Sequence, residues 1–90
     1  MFIVIFGRPK CPYCTRAIEL AQKLKSELKD KNINFDYIDM HAEKITKADL
    51  EKTVGKPVET VPQIFIDKQH IGGYTEFAAY VNKHFHDLKF

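Results

Sequence analysis

Five apolar residues in a row, Phe2 to Phe6, are followed from Ala17 by apolar residues spaced as Ala17, Leu20, Ala21, Leu24 and Leu28. The first run reads as a strand covered on both faces of a sheet. The second is the one-sided stripe of a helix, with Arg16, Glu19, Gln22, Lys23 and Glu27 off it. A buried strand that passes this soon into an amphipathic helix calls for an architecture in which helices pack on a sheet.

The rest of the chain extends that pattern. The first helix is expected from about Pro12 to about Lys29, followed by the turn-like "DKNIN" and a strand through Phe35, Tyr37 and Ile38 that ends at Asp39. A short second helix carries its own punctuation: Thr46 as N-cap, Asp49 in the first turn, Gly55 at the end and Pro57 beyond. "QIFID" and "HIGG" read as two short strands around a tight turn at "KQ", and Phe77, Val81, Phe85 and Leu88 form the stripe of a last helix. The aromatic residues Phe6, Phe35, Phe65, Phe85 and Tyr80 are expected in the core.

Strand, helix, strand, helix, hairpin, helix is the order of an α/β domain. A strand-helix-strand unit favours parallel pairing, and the hairpin adds an antiparallel pair, so a small mixed sheet flanked by helices is expected. Ligands in such sheets gather beyond the carboxyl ends of the parallel strands. Cys11 sits at that junction.

At 90 residues one domain, residues 1–90, is expected. Fourteen basic against twelve acidic side chains leave a net charge of +2, without the clustered basic face that nucleic acid or a membrane surface would call for. "MFIVIF" is too short for the core of a signal peptide, and its basic residues follow rather than precede it. Two cysteines are too few for the disulfide framework of a small secreted domain. An intracellular, cytoplasmic protein is expected.

Those cysteines, in "GRPKCPYCTRA", lie two residues apart. A structural zinc site needs four ligands, and His84 and His86 are too close together to act as the histidine pair of a finger. A disulfide between Cys11 and Cys14 closes too small a loop to restrain the unfolded chain much. Thiol–disulfide exchange has a positive physical case. Pro12 suits the first helical position, which places Cys11 near the N-cap. There the free N–H groups of Tyr13 and Cys14 and the helix dipole favour the thiolate, and Arg8 and Lys10 add positive charge.

A lower thiol pKa helps departure at least as much as attack. With a Brønsted slope of about 0.45, each tenfold gain in thiolate share lowers intrinsic nucleophilicity about threefold, whereas the same change makes the sulfur a better leaving group. Cys14, one turn on and deeper, is expected to be the less reactive thiol. Lys10 reads equally as a steering charge for anionic substrates and as a solvated lysine. Lys44, Lys47, Lys52 and Lys56 read as a solvated face.

With "CPYC" after a strand, "TVP" at residues 60–62 and "GGYTE" at residues 72–76, the chain resembles the dithiol glutaredoxins over essentially its whole length. The resemblance implies a thioredoxin-like fold with a four-stranded mixed sheet and three helices. It also implies glutathione-dependent reduction of protein disulfides and glutathione mixed disulfides, with Cys11 as nucleophile and Cys14 as resolving thiol. Tyr13 would border the glutathione site, and the backbone of Thr60 and Val61 would pair with the cysteinyl part of glutathione ahead of a cis Pro62. Gly73, Tyr74, Thr75 and Glu76 would hold the γ-glutamyl end, and Arg8 would face the glycyl carboxylate. Relatives often carry Asp at position 76, so Glu76 is longer by a methylene.

Glutathione is thus the implied reducing co-substrate, with no tightly bound cofactor and no metal. Disulfide-bearing proteins such as ribonucleotide reductase are the implied partners, and a monomer is expected. A thioredoxin recharged by a flavoprotein reductase is the competing reading, against which stand Pro-Tyr between the cysteines and the glutathione-site motifs. A cluster-sharing binding module is a third reading, and Pro12 counts against it.

Overall fold

The computed structural model describes residues 1–58 and 60–85. Strand β1 (Phe2–Gly7) leads through a short loop into helix α1 (Pro12–Glu27), then β2 (Asn34–Asp39), α2 (Lys47–Val54), β3 (Gln63–Ile66), β4 (Gln69–Gly72) and α3 (Tyr74–His84). The strands lie in the order β2-β1-β3-β4. β1 runs parallel to β2, with Phe2 opposite Asn34 and Gly7 opposite Asp39. It runs antiparallel to β3, with Ile5 opposite Ile64, and β3 is antiparallel to β4. This is the expected four-stranded mixed sheet with three helices.

One face of the sheet carries the main core. Ile3, Ile5 and Ile64 point to α1 and α3, where Ala17, Leu24 and Phe77 are, like them, fully buried. Truncating Phe77 to alanine would cost about 3–5 kcal/mol. That is a large share of the total stability of so small a domain.

The other face departs from expectation. β1 was expected to be covered on both sides, but only its odd residues are deeply buried; Val4 and Phe6 are half-buried and Phe2 is 45% exposed. The cause is the size of α2, which together with Met40 and Val58 builds a small second cluster around Leu50 that covers Phe6 alone of the three. Phe65 is buried, Phe35 and Tyr80 are half-buried, and Phe85 packs on the main core just beyond the end of α3. Leu88 lies outside the described residues.

Local chemistry sets the element ends. α1 stops at Glu27, earlier than the expected Lys29, because Leu28 leaves helical geometry and a 3-10 turn (Lys29–Lys31) follows, closed by Asn32 at φ 54. The exit brings Ile33 into the core at 3% exposure. α2 follows its sequence signals: Thr46 accepts from the Asp49 N–H at 3.1 Å, Asp49 accepts from the Thr46 N–H at 3.0 Å, and Gly55 ends the helix. The Thr46 backbone N–H first, and the Thr46 side chain second, hold the Asp49 carboxyl below its ordinary pKa.

The hairpin turn falls at Asp67–Lys68, one residue before the expected "KQ", with φ of 49 and 70. Positive φ at both central positions gives the backbone twist that two-residue hairpins need. Among the described residues no helix is long and apolar enough to cross a membrane.

Candidate active site

The β1–α1 junction places the cysteines as the helix N-terminus dictates. Cys11 is the N-cap of α1, in extended conformation (φ −110, ψ 107), with Pro12 at the first helical position. Its Sγ accepts the Cys14 N–H at 3.2 Å. Of the two N–H groups expected to face this sulfur, the Cys14 one makes the recorded hydrogen bond. The sulfur of the N-cap thus takes the place of the usual capping oxygen, and a negative sulfur there is favoured by the donor and by the helix dipole. The two cysteines form a disulfide with Cα atoms 5.2 Å apart. Cys11 is half-buried and Cys14 is 2% exposed, so Cys11 is the more accessible of the two.

Lys10 precedes them with φ 60, a left-handed conformation that no sequence signal announced. Tyr37 stands beside the pair from β2, donating its hydroxyl to the Arg8 carbonyl at 3.3 Å. Burial first, and the Asp39 carboxylate second, raise its phenol pKa above the ordinary value.

Opposite Cys11, the loop before β3 brings the Val61 carbonyl oxygen within 3.8 Å of Cys11 Sγ, and the Val61–Pro62 bond is cis. Tyr13, Thr60, Val61, Pro62, Gly73, Tyr74, Thr75 and Glu76 line one open cleft of about 340 Å³. Tyr13 is 53% exposed, yet its ring has the guanidinium of Arg16 5.1 Å from its centroid and the ring of Tyr74 6.1 Å away between centroids.

The far wall is the start of α3. Its N-cap is Gly73, and Thr75 lies within the first turn. The Phe77 N–H is the first to bond within the helix, to the Gly73 carbonyl at 3.0 Å. The N–H groups of Tyr74, Thr75 and Glu76 come before it, as free donors at a positive helix end. Glu76 turns one oxygen back to the Gly73 N–H at 2.7 Å, a cap that leaves its charge at the cleft. Gly72 sits at φ 128, a backbone conformation that strains any residue with a side chain, and so favours glycine.

Arg8 does not line this cleft. It lies in an adjoining hollow of about 150 Å³ with Lys47, Thr60 and Val61 on its rim and Met40 and Leu50 below. Lys47, read from the sequence as part of a solvated face, is thus a second cation beside Arg8. It went unrecognised because the packing of α2 against the 60–62 loop has no local sequence signal. Gln63 went unrecognised for a similar reason: its amide donates to the Thr60 carbonyl at 2.9 Å and accepts from His70 at 2.7 Å.

A disulfide-forming cysteine pair at the N-terminus of the helix that follows the first strand of this sheet defines a thiol–disulfide oxidoreductase of thioredoxin-like fold. The family model for glutaredoxin matches residues 3–71. Glutaredoxin 1 of Salmonella typhimurium is 69% identical over 83 residues, covering 92% of this chain and 93% of the relative. The solution structure of oxidised Escherichia coli glutaredoxin superposes with a TM-score of 0.83 at 57% identity, covering 96% of this chain and 99% of that one. A buckwheat glutaredoxin in complex with glutathione gives 0.67 at 26% identity, covering 90% of this chain and 68% of that one. The chain belongs to the glutaredoxin family.

Proposed function

We propose that this protein is a glutathione-dependent reductase of protein disulfides and glutathione mixed disulfides, with Cys11 as the attacking sulfur. The observation that carries the reading is the position of Cys11: more accessible than Cys14, with its Sγ capped by the Cys14 N–H at 3.2 Å and 3.8 Å from the Val61 carbonyl at the edge of the cleft. The buckwheat relative in complex with glutathione supports the choice of thiol.

In the monothiol route the Cys11 thiolate attacks the glutathione sulfur of a mixed disulfide. The Cys11–glutathione bond forms, the old S–S bond breaks, and the displaced thiolate takes a proton from water. A second glutathione thiolate then attacks the bound glutathione sulfur, which releases oxidised glutathione and restores the Cys11 thiolate. In the dithiol route Cys11 attacks a protein disulfide, and Cys14 loses its proton and attacks Cys11 Sγ. The substrate leaves as a dithiol, and two glutathione molecules reduce the Cys11–Cys14 disulfide.

The cleft fits the tripeptide by chemistry. The Thr60–Val61 backbone edge, ahead of Pro62, pairs with the cysteinyl unit and brings its sulfur to Cys11. Tyr13 and Tyr74 wall the peptide. The free N–H groups at the start of α3, with the Thr75 hydroxyl, take the γ-glutamyl carboxylate near Gly73, and Glu76 takes the ammonium. Arg8, with Lys47 beside it, faces the glycyl carboxylate. Protein substrates are disulfide-bearing proteins, ribonucleotide reductase among them, met by a monomer in the cytoplasm.

The test is a pair of serine variants assayed with glutathione. Cys14→Ser is expected to keep reduction of glutathionylated substrate and lose reduction of protein disulfides that need the dithiol; Cys11→Ser is expected to lose both. Full activity in Cys11→Ser overturns the assignment.

A further inference from the structure

Gln63 is the buried polar side chain of the described core, 8% exposed in a strand whose every residue is buried. An amide in such a place is unfavourable unless its polar atoms are paired. Both ends are: Nε2 donates to the Thr60 carbonyl at 2.9 Å, and Oε1 meets His70 Nε2 at 2.7 Å. With the amide nitrogen on a carbonyl, the amide oxygen must accept, so the proton between the two side chains belongs to His70 Nε2. The ring of His70 is held in turn against Phe65, 5.2 Å between centroids.

A methionine at position 63 would fill similar space without needing partners. The amide does something methionine cannot, because it grips the backbone of the 60–62 loop. Among the described residues no backbone–backbone hydrogen bond outside the helices and strands holds Thr60 or Val61. His70 lies on β4 just before Gly72 and Gly73, the approach to the opposite wall of the cleft. The Gln63–His70 pair therefore joins the strand leading to one wall to the backbone of the other.

We propose that Gln63, braced by His70, is a positioning residue that sets the Thr60–Val61 backbone edge at the register a glutathionyl sulfur needs to reach Cys11. This rests on reading residues 60–62 as the segment that pairs with glutathione. Gln63 touches neither substrate nor sulfur, so its loss acts on the affinity for glutathione-bearing substrates and leaves the intrinsic reactivity of Cys11 alone.

The experiment compares wild type, Gln63→Met, His70→Phe and the double variant. KM and kcat are measured on a glutathionylated peptide, the Cys11 alkylation rate with iodoacetamide, and binding of S-methylglutathione by amide NMR shifts. In wild type the Thr60 and Val61 amides are expected to shift on binding. Gln63→Met is expected to raise KM and weaken S-methylglutathione binding about five- to tenfold, the effect of one or two lost hydrogen bonds, with kcat and alkylation rate within about twofold. His70→Phe is expected to give a smaller rise, and the double variant no more than Gln63→Met, because both act through one amide.

Unchanged KM and binding in a folded Gln63→Met, with the wild-type Val61 amide responding, overturns the positioning role and leaves the glutathione reading standing. Silent Thr60 and Val61 amides in wild type overturn both. Should Gln63→Met not fold, His70→Phe decides alone, and an unchanged KM there overturns the brace.

Discussion

Gly7 and Cys14 share a space with no room for one more carbon: a Cβ on Gly7 would stand 2.8 Å from Cys14 Sγ and equally close to the Tyr37 ring. The last residue of β1 is thus glycine because the deeper sulfur and a phenol from β2 close over it. Gly7→Ala is expected to lower stability by about 1–3 kcal/mol through overpacking. Because the clash falls on the Cys14 sulfur, reduction of protein disulfides should suffer more than reduction of glutathione mixed disulfides. Chemical denaturation and the two assays side by side would check it.

The hairpin offers a change in the opposite direction. Asp67 and Lys68 both sit at positive φ, 49 and 70, where a side chain is strained and Asp-Gly is the favoured pair. Lys68→Gly relieves strain of about 1–2 kcal/mol against a chain-entropy loss of about 0.5–1 kcal/mol. A higher midpoint in urea with unchanged turnover is the expected outcome, since Lys68 lies outside the cleft.

Thr46→Ala removes the cap of α2 and is expected to cost about 0.5–2 kcal/mol. The same change takes the Thr46 hydroxyl from Asp49 but keeps the Thr46 backbone N–H, the first cause of the lowered Asp49 pKa. In wild type the contribution of a lowered carboxyl is present above its unfolded pKa and lost as pH falls through its folded one. Because only the second cause of the shift is lost, the acid limb of a stability-against-pH curve should be slightly flatter for Thr46→Ala and keep most of its slope.

His70 brings a second pH dependence. Burial, and then Lys56, lower its pKa from 6.5, while Glu76 opposes them. A histidine held below its unfolded value favours folding fully above that value, and the contribution is lost as pH falls through the window beneath 6.5. The midpoint of wild type should thus drop more steeply between about pH 7 and about pH 5 than that of His70→Gln, in parallel thermal melts.

These cases show which parts of the molecule are legible in the sequence. The cap and stop of α2 could be read because Thr46, Asp49 and Gly55 act within a few residues of one another. The order of elements and the place of Cys11 followed from apolar periodicity and from Pro12. The hairpin turn was misplaced by one residue because Asp67-Lys68 carries no Asn-Gly or Asp-Gly signal. Lys10 at φ 60 was invisible for the same reason. The exposure of Phe2, the position of Lys47 beside Arg8 and the bonds of Gln63 depend on how distant elements meet, and no local spacing encodes that. The cleft residues were named through family motifs; the fold is what brings Tyr13, Val61 and Glu76 to one place.

The central claim is that the sulfur of Cys11, the more accessible cysteine and the N-cap of α1, is the reactive one. The direct measurement is the site of alkylation in the reduced protein, treated with limiting iodoacetamide across a range of pH and read by peptide mass spectrometry. Modification should fall almost wholly on Cys11, with a rate that stays high well below the pH at which an ordinary thiol slows. Modification of Cys14 first, or of both at equal rates that follow an ordinary thiol, would contradict the account.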